Sequence, residues 1–570
     1  MAIFFRVVFF IPLFLFGALS EEQYTRRIYD YLILQDNLSA VTESKQGIDL
    51  YPDSISLLKA TFRALCQQGD ELGAMKIFEK FSKSEKEERS ILEALAWGVL
   101  NKAKESPQLE IRLNVLKAAS FTKDVKALPI ILKEMRSSSA ILRSLAIQMA
   151  SHFGDEPLRK ELEHLLKEEK VWFVRLQVIQ AIGKLRMSSM QENLKKILIH
   201  PKISLEERGS VQIALVNLYD DISHEELLSL IRSDRAALRH LACDLVAYLE
   251  LVDLAVEIYP LVNDTVAEVR IAAINALTLL KKEESFPLIQ YHLEDPSVDV
   301  AISSAWAAMV FEPKLGEKWL QFWLKAADVE HGRMAAAALS ISGVRGIPLA
   351  FKMMKESTDL YMKATLAIGL IHQREHLFEA QALLYKLLLH PHTKEWMWEG
   401  YLNPLFSSLA PSRMKHREGI PQFPKVVDQK VRLELLSLLC ITHYPKAEEA
   451  IRAFLKSDNW GITTLAAAVL LEEGNATSIE ISQKLLKDAD EKVRLQAAFL
   501  LALMGDSEEA LPILKEAYPR LDREMKLHVI GAIAQVGDLD SIPFLIEQLK
   551  EPFQLLRVAA ASALIQCLYH

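Results

Sequence analysis

The chain has 570 residues, half of them hydrophobic, with 67 Lys plus Arg against 75 Asp plus Glu for a net charge of -8. That balance excludes wholesale disorder, and it lacks the basic field with which a dedicated nucleic-acid binder draws its ligand. The 20 Gly and 21 Pro make up about 7% of the chain against an average near 12%, which excludes all-β, collagen-like and Gly-rich phosphate-binding architectures and points to helices with short connections.

The first segment, Met1 to Ser20, reads MAIFFRVVFFIPLFLFGALS. Arg6 precedes an apolar run from Val7 to Leu19, and Ala18 and Ser20 stand at the -3 and -1 positions of a cut after Ser20. This is the three-part layout of a secretory signal peptide, and it predicts an exported chain in the periplasm or envelope of a bacterium. An uncleaved membrane anchor is the alternative, because Ala2 to Leu19 is just long enough to cross a bilayer.

Residues 21–104 form the next region. From Tyr51 it runs YPDSISLLKATFRALCQQGDELGAMKIFEKF, with Ala64, Gly69-Asp70, Ala74 and Phe78 at small, turn and packing positions. The stretch resembles one tetratricopeptide repeat, which implies a helix pair; a plain helical cap predicts the same helices.

Residues 105–390 and 429–570 repeat with a period near 31. An Arg or its substitute recurs at 112, 143, 175, 208, 239, 270, Ala301, 333 and Lys363, then at 432, Thr463, 494, Lys526 and 557. Apolar or small residues follow three and seven positions later, as at Val178 and Ile182, Ala273 and Leu277, Ala497 and Leu501, or Ala560 and Leu564. That spacing is one helix face, narrow enough at alanine for close helix approach. Gly505-Asp506 and Gly537-Asp538 suit a helix stop and the next N-cap. Pro129, Pro287, Pro512 and Pro543 each fall 14 residues before the next anchor, where a proline in the first turn of a second helix costs no hydrogen bond.

The pattern D-x-x-V-R-x-x-A-A, turn, apolar-Pro-x-apolar resembles the bacterial HEAT-like repeat named after phycobilisome lyase subunits. It is strongest in the units at 264, 490, 520 and 550, loses the Arg at Ala301 and Thr463, and slips in register at Arg333. The resemblance implies an all-α fold, a right-handed α-solenoid of helix hairpins with an α-helical N-terminal cap. It also implies that the Arg and a turn Asp link neighbouring repeats, with Asp264 and Arg270, and Asp490 and Arg494, in that role.

The step from Lys363 to Arg432 exceeds two periods, and Pro391, Pro404, Pro411, Pro421 and Pro424 crowd into it. Residues 391–428 therefore read as a degenerate repeat with a Pro/aromatic insertion, a long loop or broken helix. Trp396, Trp398, Tyr401, Arg413, Lys415 and Arg417 there are candidate partner-binding residues, since aromatic and Arg side chains anchor interfaces. The alternative is that the tryptophans fill a packing defect.

Cys66, Cys243, Cys440 and Cys567 lie far apart without a CxxC and are expected to be buried single thiols. No HExxH, GxSxG, GxxxxGK[ST] or GxGxxG occurs. His372 with His376, and His390 with His392, lack the further ligands a metal needs. The single His-Glu pair, His224-Glu225, does not match HEAT-repeat di-iron hydroxylases, which need several. Asn37, Asn263 and Asn475 open N-x-[ST] triplets that matter only in a eukaryotic secretory path. No catalytic residue, cofactor or metal is expected. The sequence predicts a non-enzymatic exported scaffold that binds other proteins along a solenoid surface. A lyase-like or chaperone-like subunit presenting a cofactor or client, or a membrane-tethered assembly factor, are the alternatives.

Overall fold

In the computed structural model the described residues are 19–122, 127–389, 396–400, 412–416, 430–456, 476–503 and 509–569. Within them the chain is a succession of short helices, with one pair of strands. It forms two compact units, Met1–Thr122 with Asp522–His570, and Lys123–Leu521. The second unit and the C-terminal part of the first consist of helix hairpins of the α-solenoid type.

In the larger unit the anchor-bearing helices Ala140–Phe153, Trp172–Lys184, Leu205–Leu218, Ala236–Tyr248, Ala267–Leu279, Val298–Phe311, Val329–Ser340 and Leu360–His372 pack each on the next. The predicted faces are the packed ones: Val178, Ile182, Ala273 and Leu277 are fully buried, and so are Ala497 and Leu501 to within 1%. Alanine at these places matters because an anchor helix is covered on two flanks and along its back. Ala267–Leu279, for example, touches Ala236–Tyr248, Val298–Phe311 and the 3-10 stretch Val252–Asn263.

Second helices start where proline is harmless. Pro129, Pro287 and Pro543 occupy the first turns of Leu128–Met135, Phe286–Gln290 and Ile542–Gln548, and Pro348 does the same in Ile347–Glu356. Pro512 is the third residue of Ala510–Ala517. Between the two helices of most described hairpins, with Tyr219 (φ -92) and Glu312 (φ -131) as the exceptions, the chain turns through one residue of positive φ, 10 or 11 positions after the anchor. That residue is glycine at Gly154, Gly343 and Gly537, but Arg186, Glu250, Lys281, Arg374 and His443 fill the same place. The scarcity of glycine thus includes left-handed turn positions held by side-chain-bearing residues, a conformation that disfavours a Cβ.

The interruption differs from expectation. Instead of only loop or broken helix, it carries two five-residue strands, β1 (Trp396–Gly400) and β2 (Ser412–His416), paired antiparallel. The segment WMWEG sets its two tryptophans at alternate positions, a strand period rather than a helical one. β2 lies beside Val329–Ser340 and Leu360–His372, and β1 beside Lys430–Ile441.

The smaller unit joins both ends of the chain. Glu21–Ile33, Asn37–Leu50, Ile55–Gln68, Glu71–Lys80, Arg89–Ala103 and Leu109–Thr122 stack in order. In the stretch from Tyr51, Ala64 and Ala74 are fully buried and Phe78 nearly so, Gly69 ends its helix at φ 81, and Asp70 caps the next by accepting from the Gly73 amide at 2.9 Å. The last helix, Gln554–Tyr569, packs on Arg523–Val536 and also on Arg89–Ala103 and Leu109–Thr122. All four cysteines are buried and unpaired with one another. No helix among the described residues is long and apolar enough to cross a membrane; of the expected leader, residues 1–18 lie outside the described residues, while Ser20 caps the helix Glu21–Ile33.

Candidate interaction surfaces

A buried ladder of ion pairs sets the register of the repeats. Arg270, fourth residue of its helix, donates from Nε and Nη2 to both carboxylate oxygens of Asp295 at 3.0 and 2.7 Å, and from Nη1 to the Asp264 carbonyl at 2.8 Å. Arg239 repeats this with Asp264 (2.6 and 2.9 Å) and the Ser233 carbonyl (2.8 Å). Arg143 does so with Glu169 (2.7 and 3.0 Å) and the Ser137 carbonyl (2.8 Å). Arg333 reaches Asp359 at 2.6 Å. Each acid also accepts the backbone amide two or three residues on, from Val171, Val266, Ser297 or Met362. Burial pushes the carboxyls of Glu169, Asp264 and Asp295 up, but the bonds from arginine and amide outweigh it and hold all three below the ordinary carboxylate range.

The expected pairing is corrected here. Asp264 gives its carboxylate to Arg239 of the preceding repeat and only its backbone carbonyl to Arg270. Asp490 pairs with Lys456 at 3.3 Å, and Arg494 donates to the Asp488 carbonyl at 2.7 Å. The reason is local: an acid that caps the amide ahead of it folds its side chain back toward the previous repeat, while its carbonyl faces its own helix.

The final rung is closed from a distance. Arg557 donates to Glu71 at 3.2 and 2.9 Å and to the Glu551 and Pro552 carbonyls at 2.9 Å. Glu71, also held by Lys102 at 2.9 Å, fills the place that the next repeat's acid takes elsewhere. Burial raises its carboxyl, but Arg557 and Lys102 bring it below its usual value.

One rung has no charges. Ala301 stands for the arginine, and Ala326 stands where Asp295 lies one period earlier. Beside it lies a groove of about 770 Å³ lined by Lys314, Glu317, Lys318, Gln321, Phe322 and Lys325 with Ala326 and Ala327. The helix Pro313–Leu324 supplies most of it, because Lys314, Lys318 and Gln321 follow the four-then-three spacing of one helical stripe, which Lys325 continues just beyond its end. The three lysines are exposed. Phe322 is 59% exposed, and its ring stands edge-on between Trp319 and Trp323 at 5.8 and 5.1 Å. One period earlier, Tyr291 is 83% exposed. None of these residues belongs to the set expected from the sequence. The available signal was the double loss of charge at 301 and 326 beside a lysine stripe in an acidic chain.

The expected partner-binding residues fall on the interruption. The register sets Trp396 opposite His416, Trp398 opposite Met414, Glu399 opposite Arg413 and Met397 opposite Lys415. The strands bring the two segments together, with the two tryptophans and the two basic residues at register positions of opposite parity. Tyr401 and Arg417 lie outside the described residues, as do His390, His392, Thr463, Asn475 and Gly505-Asp506.

Histidines elsewhere are engaged in packing. His376 stacks on Phe351 with ring centres 3.6 Å apart, and burial lowers the pKa of His372. Sequence reading missed a buried polar group in which Gln212 reaches Asp244 at 3.5 Å and His240 lies 3.6 Å from the same carboxylate. Burial, with Arg208 nearby, brings His240 down to about 4, so it is neutral at physiological pH. Among the described residues no three His, Cys, Asp or Glu side chains are grouped to hold a metal ion.

Residues 480–565 match the family model described as HEAT repeats. No curated protein matches the chain. Among solved structures, the CpcE–CpcF complex of phycocyanin lyase from Nostoc sp. PCC7120 is 18% identical over 45% of this chain and 93% of that one, with a TM-score of 0.27. The myosin chaperone UNC-45 from C. elegans, bound to an Hsp90 peptide, is 12% identical over 96% and 81%, with a TM-score of 0.38. Kap121p bound to Nup53p is 13% identical over 92% and 76%, with a TM-score of 0.29. These scores are low, and the likenesses carry nothing about function. The helix hairpin, anchor faces and arginine rungs seen in the matched segment recur among the described residues from Ala140 on, so residues 480–565 are similar to HEAT repeats within a longer α-solenoid of helix hairpins.

Proposed function

We propose that this chain is a non-enzymatic, exported scaffold that binds another protein on its repeat surface. The observation that carries the reading is the pair Tyr291 and Phe322, large aromatic side chains left 83% and 59% exposed at the same register of adjacent repeats. Anchor helices pack their alanines and leucines on each other, while these two aromatics keep most of their surface outside that interior. Exposed aromatics in series are the material of interface anchors. The hairpin bearing Trp396, Trp398, Arg413 and Lys415 is a second candidate contact. Export rests on the sequence of Met1 to Ser20.

Affinity capture of the tagged chain from the envelope of its host tests the reading. A stoichiometric protein partner that is lost when Tyr291 and Phe322 are both changed to Ala supports it. No partner, or one that the change leaves untouched, overturns the assignment to this surface. Capture unchanged by Trp396→Ala with Trp398→Ala removes the hairpin from it. Mass spectrometry of the mature chain tests export: a chain that starts at Glu21 supports cleavage, and one that keeps Met1 excludes it.

A further inference from the structure

We infer that the groove on Pro313–Leu324 binds an acidic peptide segment carrying an apolar side chain; this rests on the scaffold reading and names the chemistry of its partner. Three observations converge. The lysines 314, 318 and 325 form one exposed stripe with Glu317 as the single acid in the groove, in a chain whose net charge is -8. No ion pair joins these three lysines to any acid among the described residues, whereas Lys195, Arg270, Arg333 and Lys456 each have one. Like charges four apart on a helix, as Lys314 and Lys318 are, oppose helix formation.

The missing rung explains why the site lies here. At the neighbouring turns an aspartate stands where Ala326 does, and it is consumed by the arginine of the previous repeat. With both charges absent, Ala326 and Ala327 leave an apolar floor beside Lys325 instead of a competing carboxylate. Phe322 supplies an exposed ring to the lining of the groove, fixed from both sides by Trp319 and Trp323. Trp323 is itself set against His331 at 5.9 Å, so the ring is presented on a rigid aromatic base. A ligand that satisfies both features carries carboxylates on either side of a Leu or Phe. A polyanion without apolar groups would leave the ring and the alanines uncovered.

The probe is a fluorescein-labelled twelve-residue peptide of Asp and Glu with a central Leu-Phe, titrated with the full chain by fluorescence anisotropy. The expected result is saturable binding that weakens as salt rises. It falls by about ten-fold or more in the Lys318→Glu, Lys325→Glu variant and in Phe322→Ala. A peptide with Asn and Gln in place of the acids should bind no better than the variant does. Equal binding to the wild type and the double lysine variant overturns the inference, as does tighter binding of an oligonucleotide of equal charge. The two readings separate cleanly. If captured partner persists in the double lysine variant and the peptide fails to bind, the groove assignment falls while the scaffold reading stands.

Discussion

Replacing Arg270 by Met removes the most completely described rung of the ladder. The guanidinium is 12% exposed and Asp295 only 4%, and four bonds vanish: two to the carboxylate, and those to the Asp264 carbonyl at 2.8 Å and the Thr265 carbonyl at 3.4 Å. Asp295 keeps the Ser297 amide at 2.9 Å and His292 Nδ1 at 2.8 Å. Breaking a buried pair from one side costs about 3–5 kcal/mol when the remaining charge is wholly unpaired; with those two partners left, about 2–3 kcal/mol is expected. Removing both charges with Arg270→Met and Asp295→Leu should recover most of the loss, because the pair must offset its own desolvation. The chain already contains such a rung in Ala301 and Ala326. The assay is urea unfolding near neutral pH, with hydrogen exchange over Ala267–Leu279 and Val298–Phe311. The carboxyl of Asp295 is lower in the folded chain than in the unfolded one. The rung therefore stabilises above the unfolded value of about 3.9 and is lost as pH falls through the folded value. The gap between wild type and Arg270→Met should accordingly close in acid. A single variant within about 0.5 kcal/mol of wild type, or a double variant no better than the single, would refute the role given to the ladder.

Three further outcomes are expected. Arg557→Met should raise hydrogen exchange in Glu71–Lys80 as well as in Gln554–Tyr569, because Arg557 and Glu71 are 486 positions apart in sequence but joined in one unit; an effect confined to the C-terminal helix would contradict that joining. Lys281→Gly should stabilise by about 0.5–1 kcal/mol in thermal or urea melts, since Lys281 holds φ 53 where a Cβ is disfavoured; a destabilised variant would show that its side chain is needed. His240 takes a proton near 6.5 when unfolded but only near 4 when folded, so stability should fall as pH drops through that window, by up to about 1.4 kcal/mol per pH unit. The profile of His240→Asn should be flatter there, and an unchanged slope would remove His240 as its source.

Much of the fold was legible because its information is local and repeated. A helix face needs only the spacing of Ala273 and Leu277, and a second helix only the place of Pro287 or Pro543. The period of the arginines gave the repeats without any knowledge of contacts. What they bond was less legible, since the choice between Asp264 and Asp295 for Arg270 depends on how one turn lies over the next. The partner of Arg557 could not be read at all, because Glu71 looks like an ordinary first-turn acid in an N-terminal helix. Strand alternation in WMWEG was present in the sequence but was masked by the prolines around it. The groove was hidden for another reason: three lysines on a helix read as solvated surface until the chargeless rung at Ala301 and Ala326 is set beside them.

Photo-crosslinking in the living host tests the scaffold most directly, with benzoylphenylalanine at position 322 or 291 and, as a control, at Leu72, which is 73% exposed in the other unit. A discrete protein adduct is expected from 322 and 291 and none from 72, with the adduct at 291 weakened by Lys318→Glu and Lys325→Glu. No adduct at 322 or 291, or equal adducts at all three positions, would contradict the scaffold reading.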